Sequence, residues 1–166
     1  MPARPISAAT VSFGLVSVPV KLYSAAEAKA MLGNRLSSRL PHIVQEKEME
    51  WVEAIHPLLF ISFQSAKDRR VIPLDIRMDE KERIVLISGP NAGGKSVCLK
   101  TVGLLQYMLQ CGLLVPCESS SVFGIFAGIF IDIGDEQSID NDLSTYSSHL
   151  INMKHFLKHA ATDTLV

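Results

Sequence analysis

The segment Gly89-Pro90-Asn91-Ala92-Gly93-Gly94-Lys95-Ser96 constrains this chain more than any other, because it fits the spacing GxxxxGK[ST] between an apolar run and a helix-forming run. Ahead of it, Ile84 to Ile87 reads as a short central strand covered on both faces and ending at Ser88-Gly89. Behind it, Val97, Val102, Leu105, Met108 and Leu109 fall near helical spacing over residues 96–110, and Gly112 sits where a helix end favours a left-handed residue. Strand, loop, helix is the context in which such glycines hold a phosphate. They let backbone N–H groups turn inward, and the helix N-terminus adds unsatisfied donors and the positive end of its dipole. Lys95 is then placed to reach terminal phosphates, and the Ser96 hydroxyl to ligate Mg2+. At average residue frequencies a chance match in a chain this long has a probability of about 1%.

Composition narrows the alternatives. The chain has 166 residues, 48% of them hydrophobic and 20% charged, which fits one domain with an ordinary core and excludes disordered and disulfide-dense classes. Sixteen Lys plus Arg against seventeen Asp plus Glu leave a net charge of -1, so nucleic acid or an anionic membrane has no whole-chain electrostatic argument. No apolar run approaches the roughly 18 to 20 residues that span a bilayer, and the N-terminus lacks a signal peptide's pattern, so no membrane association and a cytoplasmic location are expected. Cys98, Cys111 and Cys117 show no CxxC spacing and read as small buried hydrophobes in a reducing compartment.

Charge is uneven. Residues 101–153 contain no Lys or Arg but include Glu118, Asp132, Asp135, Glu136, Asp140 and Asp142, which disfavours contact with phosphate backbone. The preceding stretch, with Lys67, Arg69, Arg70, Arg77, Lys81, Arg83 and Lys100, reads as solvated loop and strand edge.

Elsewhere, residues 10–23 alternate twice with a phase change at Gly14 to Ser17, giving two short strands or one bulged strand with Pro19 at an edge. Helix formers begin at Ala25, and Gly33-Asn34 reads as the stop, so a boundary falls near residues 24–28. Residues 51–63 read as strand material broken at His56-Pro57, followed by a turn over 64–70 and alternation over 71–78. Residues 125–133 form a second apolar run containing Asp132. Asp142 to Thr145 offers N-caps for a last helix over about 146–159.

Spacing alone makes Asp132, at the end of Ile129-Phe130-Ile131, a candidate magnesium carboxylate, with Glu136 and Gln137 able to poise water; the other reading of 132–142 is an acidic loop. SGPNAGGKSVCLKTVGLLQYMLQCGLLVP followed by GIFIDIGDEQSIDNDLSTYSSHLINMKHFL resembles the ATPase domain of MutS-type mismatch-repair proteins over about residues 28–166. The GDEQS and LSTYSSH wording points to the second bacterial MutS branch, whose full-length members carry a C-terminal Smr nuclease domain.

The resemblance implies an α/β P-loop NTPase fold of the ABC-like type, binding of ATP or ADP with Mg2+, a homodimer, and branched or mismatched DNA as partner of the full-length protein. It links the chain to recombination control, ribosome rescue or mismatch repair. It assigns Gln137 to sensing magnesium and the terminal phosphate, moves the magnesium carboxylate away from Asp132, and makes Ser144 a contact to the partner subunit's ATP. His56 and Ile72 match segments near the nucleotide, although His56 reads equally as a satisfied core histidine.

Two departures accompany the resemblance. The family's Walker B strand, an apolar run ending in Asp-Glu, is expected to begin about where Thr164-Leu165-Val166 stops, leaving an incomplete sheet. Its magnesium aspartate, catalytic glutamate and later switch histidine then fall outside the chain, and hydrolysis by this chain alone is not expected. At the other end, MPARPISAATVSFGLVSVPVKLYSA resembles the opening strands of bacterial Ku. The expected division is a Ku-like strand segment at 1–25, the end of a lever-type helix at 26–40, and the N-terminal part of a MutS-type ATPase domain at 41–166. The chain reads first as an ATP-binding module. The rival reading is a non-catalytic, truncated fusion fragment, acting as an interaction piece or poorly folded through exposed strand edges and apolar faces. A Ku-like DNA-end binder lacks both a basic ring and enough chain.

Overall fold

The structure, a computed structural model, describes residues 7–13, 16–64, 69–90, 93–133 and 142–166, and side chains only within 23–64, 69–90, 93–133 and 146–166. It is a mixed α/β arrangement. Strands β1 (Ser7–Phe13) and β2 (Val16–Leu22) pair antiparallel with Ser7 opposite Leu22, so the phase change marks two strands of a hairpin. Pro19, opposite Thr10, is tolerated because each strand of an isolated pair has a free edge.

Helix α1 (Ala25–Arg35) starts at a capping box: the Glu27 amide donates to the Ser24 hydroxyl at 3.2 Å, and the Ser24 amide to the Glu27 carboxylate at 2.9 Å. The helix does not stop at Gly33-Asn34. Gly33 is buried in the last turn, where an added Cβ would lie 3.1 Å from Leu114, and the left-handed position falls instead on Ser37 at φ 54°. Amides of Ser37 and Ser38 donate to the carbonyls of Asn34 and Gly33, closing the end.

Strands β3 (His42–Val44), β4 (Met49–Ala54), β5 (Leu74–Met78) and β6 (Val122–Gly124) form a mixed sheet in the order β3-β6-β4-β5, with β3 parallel to β6 and β4 antiparallel to both its neighbours. In β4, Met49 and Trp51 point into the core while Glu50 faces out, and Trp51 stacks on Phe123 with ring centroids 4.4 Å apart. The alternation breaks at Glu53, whose φ of 50° places a bulge before Ala54; its amide is satisfied by the Asp75 carboxylate at 2.7 Å. The Ser121 hydroxyl, fully buried, bonds both backbone groups of Val52 and ties β6 to β4 beside this bulge.

The reading of 51–63 as strand material holds only through Ala54. Residues 57–63 form helix α2 (Pro57–Phe63), because His56 caps it and Pro57, which has no amide to donate, occupies its first turn at no hydrogen-bonding cost. Of 71–78, only Leu74–Met78 pairs.

Helix α3 (Lys95–Gln110) matches the expected helix and ends as expected at Gly112, φ 70°, with amides of Gly112 and Leu113 on the carbonyls of Leu109 and Met108. Leu105, Met108 and Leu109 join Leu36, Met49, Trp51, Val115 and Phe123 in one core. The fully buried Gln106 donates to the Gly124 carbonyl at 2.8 Å and to Gln110 at 2.9 Å, while Gln110 bonds both backbone groups of Phe126 at 3.0 Å. Of the three free cysteines Cys117 is buried, Cys98 half-buried and Cys111 exposed. The expectation of burial fails at Cys111 because it caps the C-terminus of α3, where the chain turns at the surface.

Ile84 to Ile87 is not a covered strand. It lies outside every described strand, with Ile84 91% and Leu86 89% exposed. An apolar run becomes a strand only where a neighbour supplies the other half of the ladder. Of 125–133, only β7 (Gly128–Ile129) is regular; it runs parallel to β8 (Thr164–Leu165), and the Phe130 amide extends the ladder to the Leu165 carbonyl at 2.8 Å. Helix α4 (Asp142–His159) connects these two strands, as a parallel pair requires, and Thr164-Leu165 is already strand.

Candidate functional site

The loop ahead of α3 is shaped by its glycines. The Gly93 amide donates to the Pro90 carbonyl at 3.0 Å, and a Cβ at Gly93 would sit 2.8 Å from that oxygen. Gly94 is left-handed, φ 86°, and is the N-cap of α3, so no side chain caps the helix and its first-turn amides keep their donors toward the loop. The half-buried Lys95 folds over this concavity, donating from Nζ to the carbonyls of Gly89 and Pro90 at 2.9 Å each. Ser96 is exposed on the first helical turn.

These groups fit a phosphate: uncapped amides at the positive end of a helix, one ammonium, and a backbone that excludes a Cβ at Gly93. A magnesium ion needs fewer protein ligands, since it keeps several waters and shares phosphate oxygens. The exposed Ser96 hydroxyl fits that role, and among the described residues no group of three His, Cys, Asp or Glu gathers to hold a metal by itself.

Beside the loop lies an open cleft of about 320 Å³ whose walls include His56, Phe63, Arg70, Ile72, Gly93 and Gly94. Sequence-expected His56 and Ile72 thus meet the glycine loop across one cleft. The β4 bulge ends the strand just before His56, whose Nδ1 accepts the Leu59 amide at 3.4 Å. His56 is thus satisfied as the cap of α2, half-buried and outside the core, and it also lines the cleft. Burial is the main reason its pKa lies below the ordinary 6.5; a backbone hydrogen bond opposes this, and the Lys100 charge adds to it. Neutral imidazole can accept at Nδ1 and keep an N–H at Nε2.

Gln137, Asn91, Ala92 and Glu136 lie outside the described residues, and Ser144 falls in the first turn of α4 with its side chain undescribed. Asp132 is spoken for by α4: one oxygen meets Nδ1 of His149 and the other accepts from Asn152 at 2.9 Å. These hydrogen bonds, His149 first, hold its carboxyl below the usual carboxylate range. Sequence reasoning did not find Phe63, Arg70 and Cys98 in the cleft, or His149 and Asn152 on Asp132. The three-residue spacing of His149 and Asn152 on one helix face was the available signal.

Among the described residues no helix is long and apolar enough to cross a membrane. Residues 85–166 match the family model described as MutS domain V. The chain is 41% identical over 140 residues to a protein named endonuclease MutS2 from Lactobacillus helveticus, covering 84% of this chain and 17% of that one. It is 44% identical over 139 residues to the protein of that name from Enterococcus faecalis, covering 84% of this chain and 17% of the relative. With that from Borreliella burgdorferi it shares 44% identity over 144 residues, 87% of this chain and 17% of the relative. The chain thus spans about a sixth of the length of these curated relatives, 17% in each case.

Proposed function

Because the chain belongs to the MutS family and carries its domain V at residues 85–166, we propose that it is the nucleotide-binding module of a MutS-type ATPase, with a P-loop fold of the ABC-like kind. The observation that carries this reading is the Lys95 ammonium seated on the Gly89 and Pro90 carbonyls over the uncapped start of α3. ATP or ADP places its phosphates there, exchanging those carbonyls for phosphate oxygens at Lys95. First-turn amides donate to the same phosphates. Ser96 is the protein ligand to Mg2+, which neutralises phosphate charge. The nucleoside lies in the cleft against Ile72, with neutral His56 offering its Nε2–H to an acceptor.

Gln137 near the terminal phosphate and Ser144 toward a partner subunit's nucleotide complete the proposed site. The proposed division remains 1–25 as a Ku-like strand segment, 26–40 as the end of a lever helix and 41–166 as the ATPase part. Binding of branched or mismatched DNA as a homodimer, in the cytoplasm, is proposed for the whole protein, and so is the nuclease activity that the relatives' name carries.

The test is calorimetric titration of the chain with ADP and a non-hydrolysable ATP analogue in Mg2+, with Lys95→Ala alongside. The expected result is saturable binding, weakened at least about tenfold in the variant, because each charge-assisted hydrogen bond contributes about 1.5–3 kcal/mol. A wild-type chain that ignores nucleotide defeats the proposal. A second reading, an interaction piece without catalysis, is favoured by the exposure of Ile84, Leu86, Ile72 and Leu157 at 88–91%. Light scattering that shows concentration-dependent assembly without nucleotide supports it, and a monodisperse monomer removes it.

A further inference from the structure

The stretch that follows β7 is read alternately by two helices. Phe130 stacks on Phe156 of α4, centroids 5.1 Å apart, and meets His155 edge-on at 5.6 Å. Ile131 turns the other way, onto Gly103 of α3, where the space for a Cβ is filled by the Ile131 side chain. Asp132 turns back to α4 and receives His149 on one oxygen and Asn152 on the other. A carboxylate only accepts, so His149 carries its proton on Nδ1 and donates. Both oxygens of one carboxylate are therefore held by residues one helical turn apart on the same face of α4.

Gly103 lies eight residues beyond Lys95, about 12 Å along α3 at the helical rise. A packed path thus runs from the glycine loop through α3, Ile131 and Asp132 into α4. We propose that Asp132, gripped by His149 and Asn152, is the positioning residue through which nucleotide at the start of α3 sets the placement of α4. The inference rests on the nucleotide-binding reading above. A displacement of α3 is passed to Ile131 because there is no slack at Gly103, and the adjoining Asp132 is bonded to α4 at two points, which resists rotation as well as separation. The Phe130–Phe156 stack involves neither of these bonds, so α4 is expected to stay docked when they are removed.

The experiment is hydrogen–deuterium exchange of residues 146–159, with and without Mg-ADP, in the full chain and in Asp132→Ala, with ADP affinity measured in parallel. Expected in the wild type is exchange several-fold slower with ADP. Expected in Asp132→Ala is ADP affinity within about threefold of wild type and no slowing, a separation that a merely structural role for Asp132 does not produce. Should Asp132→Ala fail to fold, Asn152→Leu removes one of the two bonds, and its ADP response at residues 146–159 is expected to be reduced. An undiminished response in the variant that folds overturns the inference, as does a wild type that binds ADP without any response in 146–159. A wild type that does not bind ADP overturns the nucleotide reading, and this inference falls with it.

Discussion

The Lys95 ammonium donates at 2.9 Å to the carbonyl of Gly89, six positions earlier in the chain. With a matching bond to Pro90, the lysine staples the loop to the first turn of α3 and neutralises carbonyl oxygens that point into the concavity. Removing it in the absence of nucleotide is expected to speed exchange of the Gly93 amide, now held on Pro90, while lowering unfolding free energy by no more than about 1 kcal/mol, since these bonds face solvent. Amide exchange and urea unfolding of Lys95→Ala together check this.

His56 predicts a pH dependence of stability. Its folded-state pKa is depressed below 6.5, chiefly by burial, so the unfolded chain binds the proton first as pH falls. The contribution is fully present above 6.5, declines below it and levels off once pH passes the depressed folded value. His56→Asn keeps an N-cap acceptor but does not titrate, so the difference in melting temperature between it and the wild type is expected to narrow as pH is lowered through this window.

Gly103 and Ile131 form a pair with a specific signature. Gly103→Ala drives a methyl into Ile131 Cδ1 and is expected to destabilise by about 1–3 kcal/mol. Ile131→Val deletes the Cδ1 atom, so the double variant is expected to be more stable than Gly103→Ala alone. A double-mutant cycle by denaturant unfolding with no coupling would contradict the contact.

Gln106 tests whether a buried polar anchor outweighs hydrophobic gain. Gln106→Leu adds apolar surface to the core but strips the Gly124 carbonyl of the Gln106 amide bond at 2.8 Å. A loss of about 1–3 kcal/mol is expected for the unsatisfied group. Equal or greater stability of the variant in urea would show that the hydrophobic gain offsets the lost bond.

What could be read in advance was local. Glycine at 112 marks the end of α3 and the helix formers from Ala25 mark the start of α1, because each needs only the residues of a short segment, whereas the Ser24–Glu27 capping box is added by the structure. Reading failed where a distant partner decides. Ile84 to Ile87 has the composition of a central strand yet lies outside every described strand, whereas Gly128-Ile129, with a glycine in it, is strand because Thr164-Leu165 lies alongside. Pro57, a strand breaker by sequence, is the first residue of a helix.

Legible in the residues alone were the GxxxxGK[ST] spacing at 89–96, the helix that follows it and the resemblance to the MutS family. Those features rest on glycine conformations, helix caps and residue spacing that a short segment carries with it. Only the tertiary structure decided that His56 and Ile72 face Gly93 and Gly94 across one cleft, and that Asp132 binds His149 and Asn152. These pairs are separated by some 17 to 38 positions, and which side chains meet at such distances depends on strand order, on the β4 bulge at Glu53 and on the packing of α3 against residues 124–131.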